Sequence, residues 1–326
     1  MLTLQQPLRV INSSLFQTHL QNELRTPLKL RWKKRSNMLY GMSLYPKTVQ
    51  LHNNLYVGGG SSLRPSDSEM CTVLKYDQSN DTWSKLPRYD CLYFGMSAIN
   101  GYLTVVGGQD IATHRASNKV GVWKPSSQRW TQPYPPMITP RYCPEVATYN
   151  NYLLAAGGRD DGGSPLTTVE VLDVRDGRQW LTVSQLLVPC AYKTSAIIQD
   201  NWYVITDGKE VMYTHLPTLC QTASKSAATS TPVQWQRLPN TPLGDTTAIA
   251  LSGSLLTVGG LHENTASTAI HLYHPETNTW TEVGNLPTPR YYCSATVLAS
   301  GELLVSGGRD QQDKVTTLVD IATILD

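Results

Sequence analysis

Short apolar runs recur along the chain, and each ends in glycine. LYVGG closes at Gly58-Gly59, LTVVGG at Gly107-Gly108, LLAAGG at Gly157-Gly158, LLTVGG at Gly259-Gly260 and LLVSGG at Gly307-Gly308. A degenerate copy, YVITDG, ends at Asp207-Gly208. The first positions, 58, 107, 157, 207, 259 and 307, stand 49, 50, 50, 52 and 48 residues apart. Self-similarity at a period of about 50 residues marks one supersecondary unit repeated, not a set of unrelated strands. Within the units, TVLKYD and AIHLYH alternate apolar and polar residues with the period of two expected of strands.

Each repeat carries two further marks. A large apolar residue follows on the next strand (Tyr76, Trp123, Leu172, Tyr213, Tyr273), and a tryptophan follows that (Trp83, Trp130, Trp180, Trp235, Trp280). The spacing is 7 residues in repeats one, two and five, 8 in repeat three and 22 in repeat four, where QTASKSAATST is inserted. A proline turn comes next, often with arginine, at Arg88, Arg141, Pro189, Pro242 and Arg290. With Tyr76 to Trp83 and Tyr273 to Trp280 as its clearest copies, the pattern resembles the Kelch family over residues 28–326. The resemblance implies an all-β, six-bladed Kelch β-propeller with four-stranded antiparallel blades, at about 38–86, 88–136, 141–187, 190–238, 243–286 and 290–326. The glycine pairs are expected where another backbone or ring comes too close for a Cβ, and the tryptophans where blades need a large, rigid filler.

Repeat six reaches the chain end at Asp326 without its tryptophan strand. The missing piece is predicted at the other end, where LKLRWKKRSNMLYGMS places Trp32 and Arg35 as in a strand–turn junction. Residues 28–34 are therefore expected to close blade six and seal the ring. The run Lys29, Arg31, Lys33, Lys34 and Arg35 has the look of a nuclear-import or nucleic-acid patch. Its alternation with Leu28, Leu30 and Trp32 instead fits an outer strand guarded by lysine on its solvent side. Residues 1–27 lie outside the ring, and Leu15, Phe16, Leu20 and Leu24 would give them one apolar helical face.

Composition narrows the partners. The 326 residues are 40% hydrophobic and 16% charged with a formal net charge of +2, a balance that demands neither nucleic acid nor membrane. No stretch of about 18 apolar residues occurs. Six cysteines without a CxxC pair and an N-terminus without an apolar leader core point to a reduced, cytoplasmic chain. The 17 Tyr and 8 Trp against 2 Phe show aromatics chosen for rings with a polar end.

In an up-and-down blade the b–c and d–a connections share one face. That face gathers Arg35, Arg64, Arg88, Tyr89, Arg115, Arg141, Tyr142, Arg159, Arg290, Tyr291 and Arg309, the residue types of binding hot spots, suited to an acidic protein or peptide. The alternative is internal pairing of these arginines, for example with Asp110, Asp160 or Asp310. The 221–231 insertion is expected to be a loop on the opposite face.

Chemistry leaves little trace. His271 and His274 are three apart on a strand and point to opposite faces, and GRDDGG at 158–163 lacks the spacing of a calcium loop. Cys91, Cys143 and Cys293 recur just after the turns and read first as small core residues. No metal or cofactor is expected, and the ring itself reads as a monomer. The resemblance implies a non-enzymatic protein-binding scaffold, similar to the substrate-reading part of ubiquitin-ligase adaptors that carry BTB and BACK domains upstream. The alternatives it carries are a sugar-binding enzyme of the sialic-acid mutarotase type, which is a secreted class, and an actin-binding module.

Overall fold

The computed structural model describes residues 27–42, 45–60, 71–224 and 233–325. The 1–26 extension, Arg64 and most of the 221–231 insertion lie outside them. Six four-stranded antiparallel sheets form a propeller. Their first strands, a, are Lys47–Leu51, Gly95–Ile99, Glu145–Tyr149, Lys193–Ile198, Thr247–Leu251 and Ser294–Val297. Each a strand touches its neighbour in the next blade, and the sixth touches the first, so the a strands wall a central channel.

Blade six is completed from the other end of the chain. Lys29–Lys34 pairs antiparallel with Val319–Leu325, in the register Lys29 to Leu325 through Lys34 to Asp320. Lys29, Arg31 and Lys33 are exposed while Leu30 and Trp32 are half-buried, so the basic run is the solvent side of an outer strand.

The tryptophans do more than fill space. All six carry an indole N–H that bonds to the preceding blade: Trp83 to Ser36 O (2.8 Å), Trp130 to Pro87 O (2.7 Å), Trp180 to Pro135 O (3.0 Å), Trp235 to Ser184 Oγ (3.1 Å), Trp280 to Pro239 O (3.1 Å) and Trp32 to Asn285 O (2.9 Å). Each of these six indoles keeps a hydrogen bond while its ring packs, and such a bond is worth about 1 kcal/mol.

The glycine pairs serve the same joints. Gly107 and Gly108 both have positive φ, and a Cβ on Gly107 would stand 2.5 Å from the Arg141 carbonyl of the next blade. The Gly108 N–H donates to that same carbonyl at 2.9 Å. Gly158 to Cys190, Gly260 to Arg290 and Gly308 to Met42 repeat the bond between the other blades.

One expectation needs correcting. The repeat-four insertion begins as helix, not loop: α1 (Leu216–Ser224) follows strand Val211–His215 directly. Leu216 and Leu219 are fully buried against Val169, Val171 and Leu186 of blade three, which anchors the helix to a neighbouring blade.

Candidate functional site

The b–c and d–a connections meet on one face. Tyr142 and Arg159 exchange main-chain bonds of 3.0 and 2.8 Å, and Tyr291 and Arg309 do the same at 3.1 and 2.8 Å. Residues Cys91–Leu92 and Gln109–Asp110 make the matching pair in blade two. The loops of this face are thereby tied to the segments that lead into the channel.

Burial divides the arginines and tyrosines predicted there. Arg141 is fully buried and ion-pairs with Glu170, also fully buried. Its guanidinium also reaches the Gly157 and Thr168 carbonyls at 2.8 and 3.0 Å. Arg290 repeats this with Asp320, at 1% and 2% exposure. Arg309 is buried on Asp313, which also accepts from Tyr291. Tyr89 is buried against Phe94 and Trp130. Arg141, Arg290 and Tyr89 are therefore packed into the blades, and Arg309 and Tyr291 are drawn onto Asp313 of their own loop, so these five side chains are not held out as contact groups. The reason is that acids on strand c, Glu170 and Asp320, reach across to the turn and draw the guanidinium inside. Asp110, Asp160 and Asp310 cap their own loops instead, through Thr113 N, Ser164 N and Lys314 N. Arg88 and Arg115 are exposed, Arg88 beside Asp90 at 3.2 Å, and Arg35, Tyr142 and Arg159 are half-buried.

The buried pair in blade three has an outward effect. Glu170 also accepts from the backbone N–H groups of Ile138 (2.8 Å) and Thr139 (3.0 Å). The segment is thus fixed from below while the Ile138 side chain stands 56% exposed. Leu187 and Leu39 occupy the same place after a buried residue (Leu186, Met38) and are 41% and 51% exposed. Sequence reasoning missed these three, although the repeat alignment of Met38-Leu39, Met137-Ile138 and Leu186-Leu187 contained the signal.

The channel is the second feature. It encloses about 430 Å³ and is lined by strand a of every blade, with Thr48, Ser97, Thr148, Ser195 and Ser294 among its hydroxyls. Lys47 of blade one bonds to Glu145 of blade three at 2.6 Å, and Ser195 donates to the other Glu145 oxygen at 2.6 Å. Lys193 is buried and donates to the carbonyls of Cys143, Cys190 and Ala191 at 3.1, 3.2 and 3.2 Å. Burial, ahead of the opposing pull of the neighbouring acidic groups, lowers its pKa.

At the channel mouth a backbone feature repeats. The residue two before strand a has positive φ in five blades: Tyr45 (58°), Tyr93 (52°), Cys143 (52°), Asp245 (51°) and Tyr292 (51°). Such values are uncommon outside glycine and costly for bulky residues. Tyr45 is buried, donates to Asp245 at 3.0 Å, packs edge-on to Tyr292 at 4.9 Å and lies near-parallel to Tyr192 at 6.3 Å. Arg159 sits over the Tyr192 ring at 5.4 Å. Of the three recurring cysteines, Cys91 and Cys293 are buried core residues, whereas Cys143 is half-buried. Among the described residues no three His, Cys, Asp or Glu side chains converge as a metal site would require. Nor is any helix there long and apolar enough to cross a membrane.

Comparison with known proteins places this geometry. Residues 93–308 match the KLHDC2/KLHL20/DRC7 Kelch-repeats domain. The chain is 24% identical to Kelch-like protein 23 of Homo sapiens over 259 residues, 78% of this chain and 43% of that protein. It is 24% identical over 274 residues to Kelch repeat and BTB domain-containing protein 1 of Vaccinia virus (strain Copenhagen), 81% of this chain and 46% of the other. It is 28% identical over 162 residues to Kelch repeat protein M-T8 of Myxoma virus (strain Lausanne), 48% and 30% respectively. The matched region is thus less than half the length of these relatives. The fold superposes on the structure of YjhT with a TM-score of 0.70 at 15% identity, covering 90% of this chain and 99% of that one.

Proposed function

The chain belongs to the Kelch-repeat family, and from that premise we propose that it is a non-enzymatic scaffold that binds a partner protein or peptide through its b–c and d–a loop face. The observation that carries this reading is the pair Ile138 and Leu187. They are large apolar side chains, 56% and 41% exposed, at one repeat position of adjoining blade junctions. Apolar groups held out on a rigid segment suit the anchors of an interface, with polar groups at its rim. Arg88, Arg115, Tyr142 and Arg159 supply that rim, and the exposed Arg88 and Arg115 favour carboxylates on the partner. Kelch relatives with a BTB domain, such as the Vaccinia protein, support a role as the substrate-reading part of a ubiquitin-ligase adaptor. Six unpaired cysteines fit a reducing, cytoplasmic setting.

The test is capture of partners from a cell lysate by the purified chain, compared with Ile138→Asp/Leu187→Asp and with Arg88→Ala/Arg115→Ala. The first pair is expected to lose every specific partner and the second to weaken acidic ones. Undiminished capture by the first pair overturns the face. Cosedimentation with actin filaments tests the actin-binding alternative.

A second reading has its own observation. The channel combines a closed ring of hydroxyls with the Lys47–Glu145–Ser195 constellation, which suits a polyhydroxylated ligand such as a sugar. Accelerated interconversion of sialic-acid anomers, followed by NMR and lost in Glu145→Gln, would favour this reading over the scaffold.

A further inference from the structure

The channel mouth has an acidic half that no cation among the described residues answers. Asp245 is half-buried, and its carboxylate is held by two phenols, Tyr45 at 3.0 Å and Tyr292. Asp207, exposed, is near enough to act on Asp245, Tyr45 and Tyr292 alike. The neighbouring cations are already engaged. Lys47 is taken by Glu145, Lys193 by three carbonyls, Arg159 by the Gly163 carbonyl and the Tyr192 ring, and Lys209, which packs against Gly244, by the Pro242 carbonyl at 3.3 Å.

The rings supply the other half of a cation site. Tyr192, Tyr45 and Tyr292 follow one another across the mouth at 6.3 and 4.9 Å. Aromatic faces attract ammonium and guanidinium groups through their quadrupole, and Arg159 over Tyr192 shows that this row already holds one such cation. Tyr45, Asp245 and Tyr292 stand at the repeat position whose positive φ is shared with Tyr93 and Cys143, so the fold sets their backbone in the same way in all five blades. A metal is a poor fit, since two carboxylates do not make a complete ligand set.

We propose that this acidic half of the mouth binds an organic cation, the ammonium or guanidinium of a lysine or arginine side chain on the bound protein. Asp245 is its counter-ion, and Tyr45 and Tyr292 are its walls. The source of that side chain rests on the loop-face reading, while the site itself does not.

The test uses small probes on the purified full chain. N-acetyl-arginine amide and N-acetyl-lysine amide are titrated by ligand-detected NMR, with N-acetyl-norleucine amide as the neutral control. Saturable binding of at least one cation and none of the control is expected. Asp245→Asn should weaken binding by roughly tenfold or more, the loss of a close charge partner. Tyr292→Leu, which keeps the carboxylate and removes a wall, should weaken it too, and Tyr102→Ala, at an exposed residue outside both sites, should leave it unchanged. No saturable binding of either cation, or equal binding by a folded Asp245→Asn chain, overturns the proposal. A chain that captures partners yet ignores the probes fails this proposal alone. One that binds the probes yet captures partners despite Ile138→Asp/Leu187→Asp fails the face alone.

Discussion

The indole N–H of Trp32 donates to the Asn285 carbonyl at 2.9 Å, bonding the strand that closes blade six to blade five. Its ring also rests on the cluster of Ile270, Leu272 and Val305. Trp32→Phe removes the donor and the smaller ring of the indole but keeps an aromatic filler, and should cost about 1–2 kcal/mol. Trp32→Ala removes the packing as well and should cost about 3 kcal/mol, the low end for aromatic truncation because the ring is half-buried. Urea unfolding of the two variants checks the order.

The Arg141–Glu170 pair should respond asymmetrically. Arg141→Met leaves Glu170 buried with two backbone donors and no cation, and is expected to destabilise by about 3–5 kcal/mol. The double replacement Arg141→Met/Glu170→Leu should recover much of that loss. A double variant no more stable than the single one would show that the backbone bonds to Glu170, not the charges, dominate.

Ile138→Ala is expected to leave stability within about 0.5 kcal/mol, because the side chain is mostly in water. The same change should weaken partner capture by roughly tenfold if Ile138 is an anchor. Thermal unfolding and a quantitative pull-down separate the two effects.

Asp245 sets a pH dependence. Burial raises its pKa, ahead of the Tyr45 and Tyr292 bonds that lower it and the Asp207 field that raises it. The folded chain then keeps this proton to higher pH than the unfolded chain. The resulting stability is present below the ordinary carboxylate pKa of about 4 and is lost as pH rises through the raised one. The stability of the native chain relative to Asp245→Asn should therefore fall as pH rises from about 4 towards neutral. A difference that stays flat across that range contradicts the shift.

The thiols should be quiet until the ring opens. Burial pushes Cys91 up to about 11 and Cys220 up to about 12, which leaves little thiolate near neutral pH. Ellman's reagent should reach these two only in denaturant. Rapid modification of the native chain at either site would contradict the packing.

The architecture was legible because its signals are local and periodic. Gly107-Gly108, Trp83 and Trp280 announce a blade wherever they stand, and Trp32 betrayed the closing strand by recurring out of order. The site was less legible. Whether Arg141 faces a partner or the core depends on Glu170, 29 residues away on another strand, so its fate is decided by tertiary register. Arg88 has no such acid and stays outside. Asp245 was passed over because its counterparts are Tyr45, Tyr93 and Tyr292, and no chemical motif joins them. Their shared distance from strand a was available, but its meaning lay in a backbone angle.

The closing strand also fixes how the ring meets force. Lys29 lies opposite Leu325, so the chain enters and leaves blade six at the same end of one antiparallel pair. Tension applied outward at these two points loads the backbone bonds one after another, as in unzipping, rather than all at once in shear. A ring that resists heat and denaturant through all its blades would then peel open from a single seam under a modest pull.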